Sequence, residues 1–120
     1  MAQAFQDLTV WQRAMEMTVS IYTLTKAFPK EEMYGLTSQL RRASVSVASN
    51  IAEGRGRMTD GEFRQFLGIA QGSTYEVQTQ LLVARRLKIG DEALLGKAET
   101  LCIETSKMLG AFILSLGAKG

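Results

Sequence analysis

Tyr34-Gly35-Leu36-Thr37-Ser38-Gln39-Leu40-Arg41-Arg42-Ala43-Ser44-Val45-Ser46-Val47-Ala48-Ser49-Asn50-Ile51-Ala52-Glu53-Gly54 is the stretch from which the rest of the chain is read. Leu36, Leu40, Ala43, Val47 and Ile51 follow one another at steps of four and three, the repeat of a single helix face. Between them stand serines, alanines and an asparagine, small or polar side chains that let a second helix come close. The mixture predicts a helix packed tightly around a buried or interfacial polar cluster, because polar groups taken from water need hydrogen-bond partners.

The same rhythm recurs outward in both directions. Val10, Ala14, Met17, Ile21, Leu24 and Phe28 describe a first helix over 9–28, with Thr9 and Gln12 as a capping box and Pro29 as its stop. The quoted stretch predicts a second over 31–53, opened by Glu31 or Glu32 and closed by Gly54 and Gly56. Thr59 and Glu62 form another capping box, and Phe63, Leu67, Ala70, Thr74, Val77, Leu81 and Ala84 carry a third helix over 60–88. Gly90 and Asp91 break the chain before a fourth over 91–116, with Leu94, Ala98, Leu101, Thr105, Met108 and Phe112 turned inward.

Connections this short favour helices that fold back on one another. The expected fold is therefore all-α, an antiparallel up-down-up-down four-helix bundle forming one domain over 1–120. Second apolar ridges run along the first helix (Trp11, Met15, Val19, Tyr22) and the fourth (Leu95, Cys102, Leu109, Leu116). They make the apolar surface wider than one seam needs, which predicts contact with another subunit.

A chain of 120 residues with 46% hydrophobic content can build one core without disulfide or metal. Its one cysteine, Cys102, lies between Leu101 and Ile103 and reads as a buried thiol, so a reducing cytoplasm is the expected compartment. No basic-then-apolar leader opens the chain, and no run approaches the roughly 18 uninterrupted apolar residues of a spanning helix, so no membrane partner is expected.

The absence of histidine removes the commonest general base and metal ligand, and a lone buried thiol is a poor nucleophile. The chain reads as non-enzymatic, with no metal and no cofactor. Gly90 to Lys97 places five residues between its glycines where a phosphate loop has four, and Gly54-Arg55-Gly56-Arg57 lacks the third glycine and preceding strand of a dinucleotide fingerprint. The few aromatics fall at core or interface spacing rather than as a base-stacking platform.

Two sets of residues remain as candidates. If the second and third helices run back to back about a turn near Arg57, Arg42 lies near Ser73 and within reach of Glu76, and Asn50 and Glu53 face the start of the third helix. Arg42, Asn50, Glu53, Ser73 and Glu76 then form a polar network with an Arg42–Glu76 ion pair, whose role is to fix register. The second set is basic. Arg85, Arg86 and Lys88 end the third helix and Arg55 and Arg57 precede it, clusters separated by roughly 40 Å at 1.5 Å per residue. Net charge is only +2, from 14 basic and 12 acidic residues, so one subunit offers a weak positive field. A symmetric ring would repeat each cluster around a rim.

Leu36 through Gly54, with Gln39, Arg42, Ser46 and Asn50-Ile51-Ala52-Glu53-Gly54, precedes Phe66-Leu67-Gly68-Ile69-Ala70-Gln71-Gly72-Ser73, Glu76 and Gln80-Leu81. Together these segments resemble the four-helix-bundle proteins encoded by intervening sequences of bacterial 23S rRNA genes. The likeness runs from about Leu8 through the fourth helix and includes Phe28-Pro29 and Tyr34-Gly35-Leu36. It implies a homopentamer, and kinship to the accessory protein of diversity-generating retroelements, a basic barrel that binds nucleic acid and a reverse transcriptase. By position, Arg42, Asn50, Glu53, Ser73 and Glu76 are the motif residues. Relatives often place a proline where this chain has Ala48, which keeps a helical hydrogen bond and predicts a second helix without that kink.

The reading that follows is a homo-oligomer serving as a nucleic-acid-associated scaffold, with RNA or DNA, a reverse transcriptase or another protein as candidate partners. Arg55, Arg57, Arg85, Arg86 and Lys88 would touch phosphate. The alternative is a protein-interaction or structural module whose charges serve solubility and helix capping.

Overall fold

The structure, a computed structural model, describes residues 4–119. Four helices pack against each other: α1 (Thr9–Thr25), α2 (Leu36–Arg55), α3 (Asp60–Arg86) and α4 (Glu92–Lys119), with 3-10 turns at Phe5–Asp7 and Lys30–Glu32. No strand occurs among the described residues. The fold is all-α, and the molecule measures 46 × 20 × 19 Å.

The helix starts obey different local rules from those expected. Thr9 does not cap α1; the preceding residue is Leu8, no side chain accepts a hydrogen bond there, and the Gln12 amide donates instead to the Gln6 carbonyl at 2.9 Å. Burial decides this start. Leu8 enters the core and Phe5 packs edge-on to Trp11 with ring centroids 5.4 Å apart, so the 3-10 turn anchors α1 by apolar contact rather than by a hydroxyl. The expected opening of α2 at Glu31 or Glu32 is likewise replaced by a 3-10 turn, after which the chain bends at Gly35 and α2 begins at Leu36. Glu32 still serves the helix, since its Oε1 accepts the Leu36 amide proton at 3.2 Å.

Other signals act where they stand in the chain. The Thr59 hydroxyl caps α3 by accepting from the Glu62 amide at 3.1 Å, while the Glu62 carboxylate accepts from Met58 rather than closing the box on Thr59. Asp91 caps α4 through the Leu94 amide at 3.0 Å. Gly90 sits at φ 98°, and a Cβ there would lie 2.9 Å from Phe28, so only glycine fits both the turn and the space. α2 runs unbroken through Ala48.

Each helix packs beside two others: α1 touches α2 and α4, and α3 touches α2 and α4. Met17, Ile21, Leu40, Ile51, Leu67 and Leu81 are among the fully buried side chains that fill the space between them. The α2–α3 pair comes close at Gly54, where an added Cβ would stand 2.6 Å from the Phe66 Cβ and 3.0 Å from Phe63. Gly54 therefore does not end α2, as its position suggested; it lies buried inside the helix and lets α3 approach.

Both apolar ridges of α4 turn out to be occupied within the chain. Leu95, Cys102, Leu109 and Leu116 are buried with Ala98 and Leu101, while Leu94, Met108 and Phe112 are half-buried beside them. α4 also meets the length and composition of a membrane-spanning helix over Glu92–Gly117, with mean hydropathy 1.2, although no such run was expected from the sequence. The run is interrupted rather than uniformly apolar: Glu99 and Glu104 lie within it, paired to α3 and α1.

Candidate functional site

The α2–α3 seam holds the polar cluster. The Ser46 and Ser73 hydroxyls are 3.0 Å apart, and the Asn50 amide donates to both the Ser46 carbonyl (2.8 Å) and its hydroxyl (3.0 Å). Three polar side chains are thus linked across the seam between α2 and α3. The register differs by a turn from that expected: Ser46 rather than Arg42 stands opposite Ser73. The connection explains it, since Thr59 is extended and the contact of Gly54 with Phe63 and Phe66 locks the helices one turn further along.

That shift removes the expected ion pair. Arg42 and Glu76 are both exposed, and no ion pair joins them. Glu53 instead pairs along its own helix with Arg57 at 3.2 Å. Of the five expected network residues, the structure brings together Asn50 and Ser73, through Ser46. The arginine that turns inward is Arg41: its Nε donates to the Thr25 hydroxyl at 2.9 Å and its guanidinium lies 4.6 Å from the Tyr22 ring centroid. In sequence Arg41 and Arg42 are indistinguishable; what separates them is Tyr22 and Thr25, which share a face in the last turn of α1.

The basic residues fare unequally. Arg85 is held by Glu92 and by Glu99, with Nε and Nη2 reaching the two Glu99 oxygens at 3.2 and 2.6 Å. Glu99 first, then Glu92, hold its guanidinium even more firmly protonated than usual. Its charge is answered inside the chain, so it clamps α3 to α4 rather than standing free for phosphate. Arg57 sits 4.7 Å from the Phe66 ring while paired to Glu53, and Arg55, half-buried, lies 6.0 Å from Phe63. Arg86 and Lys88 are exposed and without an ion pair among the described residues. Lys26 and Lys30 lie at the same end, because Gly90 packs on Leu24 and Phe28. A pair not anticipated, Arg13–Glu104 at 2.6 Å, ties α1 to α4.

A family model described as 23S rRNA-intervening sequence protein matches residues 6–111. The chain belongs to the 23S rRNA-intervening sequence protein family. Its fold is shared with a crystal structure of a protein of unknown function from the S23 ribosomal protein family of Bacteroides thetaiotaomicron VPI-5482, at TM-score 0.75 and 22% identity over 88% of this chain and 98% of that one. No curated protein matches.

The surface of this 23S rRNA-intervening sequence family member carries several grooves. Between α1 and α2, Trp11, Met15, Thr18, Val45, Ala48, Ser49 and Ala52 line about 300 Å³ with almost no polar surface. Between α1 and α4 lies a second of about 380 Å³. A third, about 520 Å³, is framed on α2 and α3 by Leu36, Gln39, Tyr75, Glu76 and Val83, beside Gln80, whose buried Oε1 has no partner. Cys102 offers no chemistry to any of them. Its thiol donates to the Thr74 carbonyl at 3.2 Å, and burial pushes its pKa up to about 12. Among the described residues no group of three or more histidine, cysteine or carboxylate side chains is placed to hold a metal ion.

Proposed function

We propose that this chain is a non-enzymatic, homo-oligomeric assembly module of the cytoplasm, an antiparallel up-down-up-down bundle whose copies meet along the outer ridge of α1. The observation that carries the reading is Met15, Val19 and Tyr22, exposed by 39%, 62% and 44% in one line beside the apolar α1–α2 groove. A contiguous apolar strip of this kind is what a subunit contact covers. The contact pairs support the antiparallel course: Ser46 meets Ser73 while Gly54 meets Phe63 and Phe66, so numbers rise on one helix as they fall on the other. Five copies is the assembly that the family resemblance implies. Light scattering after size exclusion tests this directly. A particle of five 13.2 kDa chains is expected for the native protein, and a monomer at every concentration would remove the reading.

A second reading, a nucleic-acid scaffold, is favoured by one cluster: Arg86 and Lys88, unpaired, near Lys26 and Lys30. Rotational symmetry would repeat it around one rim. Structured RNA titrated at two salt concentrations is expected to lose affinity as salt rises, and Arg86→Ala with Lys88→Ala is expected to flatten that slope by about two. Arg85→Ala is expected to leave the slope unchanged, because that guanidinium is already neutralised. No binding at low salt would leave the protein-interaction reading, with another protein such as a reverse transcriptase as candidate partner.

A further inference from the structure

The ridge of α1 does not end at Tyr22. Met15, Val19, Tyr22 and Lys26 follow at steps of four, three and four, with Lys26 still in helical conformation at the C-terminal cap, so all four lie on one face. α3 repeats that spacing in Glu76, Gln80, Val83 and Leu87, the last again helical at its cap. Glu76, Gln80 and Val83 line the groove between α2 and α3, and Val83 and Leu87 are 41% and 59% exposed. Lys26 and Glu76 are both exposed and without an ion pair among the described residues; Arg42, exposed on α2, leaves that carboxylate unpaired.

The two stripes are complementary when laid antiparallel. The α1 stripe runs from apolar to basic towards its C-terminal end, and the α3 stripe from acidic to apolar. Equal rise per residue then brings Lys26 level with Glu76, Tyr22 with Gln80, Val19 with Val83 and Met15 with Leu87. Laid parallel, they would set Met15 against Glu76 and Lys26 against Leu87, taking both charges from water without a partner. The match cannot be made inside one chain, because α2 and α4 stand between α1 and α3.

Resting on the reading that copies meet along α1, we propose that the α2–α3 groove of one copy receives the α1 ridge of the next, antiparallel, with Lys26 on Glu76 and Val19 on Val83. Such a contact joins two different faces and is therefore head-to-tail. The ridge adjoins the α1–α2 groove and its receiver lies between α2 and α3, so both faces border α2 and are inclined to each other. That inclination lets the repeated contact turn into a ring rather than run on as a filament.

The test is light scattering after size exclusion on the full chain and its variants, with the far-ultraviolet helical signal confirming the fold of each. Val83→Asp should reduce the assembly to one chain, as Val19→Asp does on the other face. Mixing the two should restore a particle of two 13.2 kDa chains, since each variant keeps the face that the other lacks. Lys26→Glu and Glu76→Lys should each raise the concentration at which the assembly dissociates by at least about five-fold, and the double variant should recover most of that loss. A native mass for Val83→Asp beside a monomeric Val19→Asp would overturn the α3 face while leaving α1 as the contact. A mixture that stays at one chain, or a double charge variant no better than either single one, would overturn it as well.

Discussion

Arg41 and Arg42 are adjacent, alike and differently placed, and the difference can be measured. Arg41→Ala removes a bond to the Thr25 hydroxyl and a cation–π contact with Tyr22, and is expected to cost about 1–2 kcal/mol in denaturant unfolding. Arg42→Ala and Glu76→Ala, both on the surface, should each stay within about 0.5 kcal/mol. A loss of several kcal/mol from Glu76→Ala would mean a buried pair after all. Cys102 makes a pH prediction. Its thiol has an ordinary value of 9.0 when unfolded and is raised to about 12 by burial, so the folded state holds the proton longer. Its contribution to stability is full below pH 9 and is lost as pH rises towards 12. Cys102→Ala should flatten that part of the stability–pH curve relative to the native chain. That Cys102 would be buried was legible from its apolar neighbours; that Arg41 would turn inward was not, because the facing group lies sixteen residues away on α1.

At the scale of the helices, close approach and end contacts replace sequence punctuation. Gly54→Ala places a methyl group 2.6 Å from the Phe66 Cβ, inside the seam between α2 and α3. It is expected to destabilise by about 1–3 kcal/mol, read as a lower denaturant midpoint, whereas Gly68→Ala, where a Cβ meets nothing, should be neutral or stabilising. Arg85→Ala should lower the melting temperature and speed amide exchange over 92–99, because both carboxylates that fix the start of α4 lose their partner. The extents of α1 to α4 were largely readable from apolar spacing, since burial of one stripe is what makes a helix stable in water. Their ends were less so. Phe5 and Leu8 outweighed a threonine cap on α1, and Gly35 displaced the start of α2 from the glutamates that seemed to open it.

At the scale of the whole molecule, the exposed line of Met15, Val19 and Tyr22 carries the expectation of assembly. Val19→Asp puts a charge on that ridge without touching the core, and is expected to shift the light-scattering mass towards one chain while the far-ultraviolet helical signal persists. The native protein should also melt at a temperature that rises with concentration, as subunit binding stabilises the folded state by mass action. An unchanged mass for Val19→Asp would place the contact elsewhere. What the sequence determined by itself was local and periodic: four amphipathic helices, an all-α class, a thiol kept from water and the absence of histidine chemistry. Those follow from spacing and residue type alone. What only the tertiary structure decided was register and partnership. A one-turn offset between α2 and α3 exchanged Arg42 for Ser46 opposite Ser73, Glu99 and Glu92 withdrew Arg85 from solvent chemistry, and α4 buried the ridge that had looked spare. Helical periodicity says which face of a helix is apolar; which residue of a neighbouring helix comes level with it depends on loop conformation and on how closely two backbones can approach.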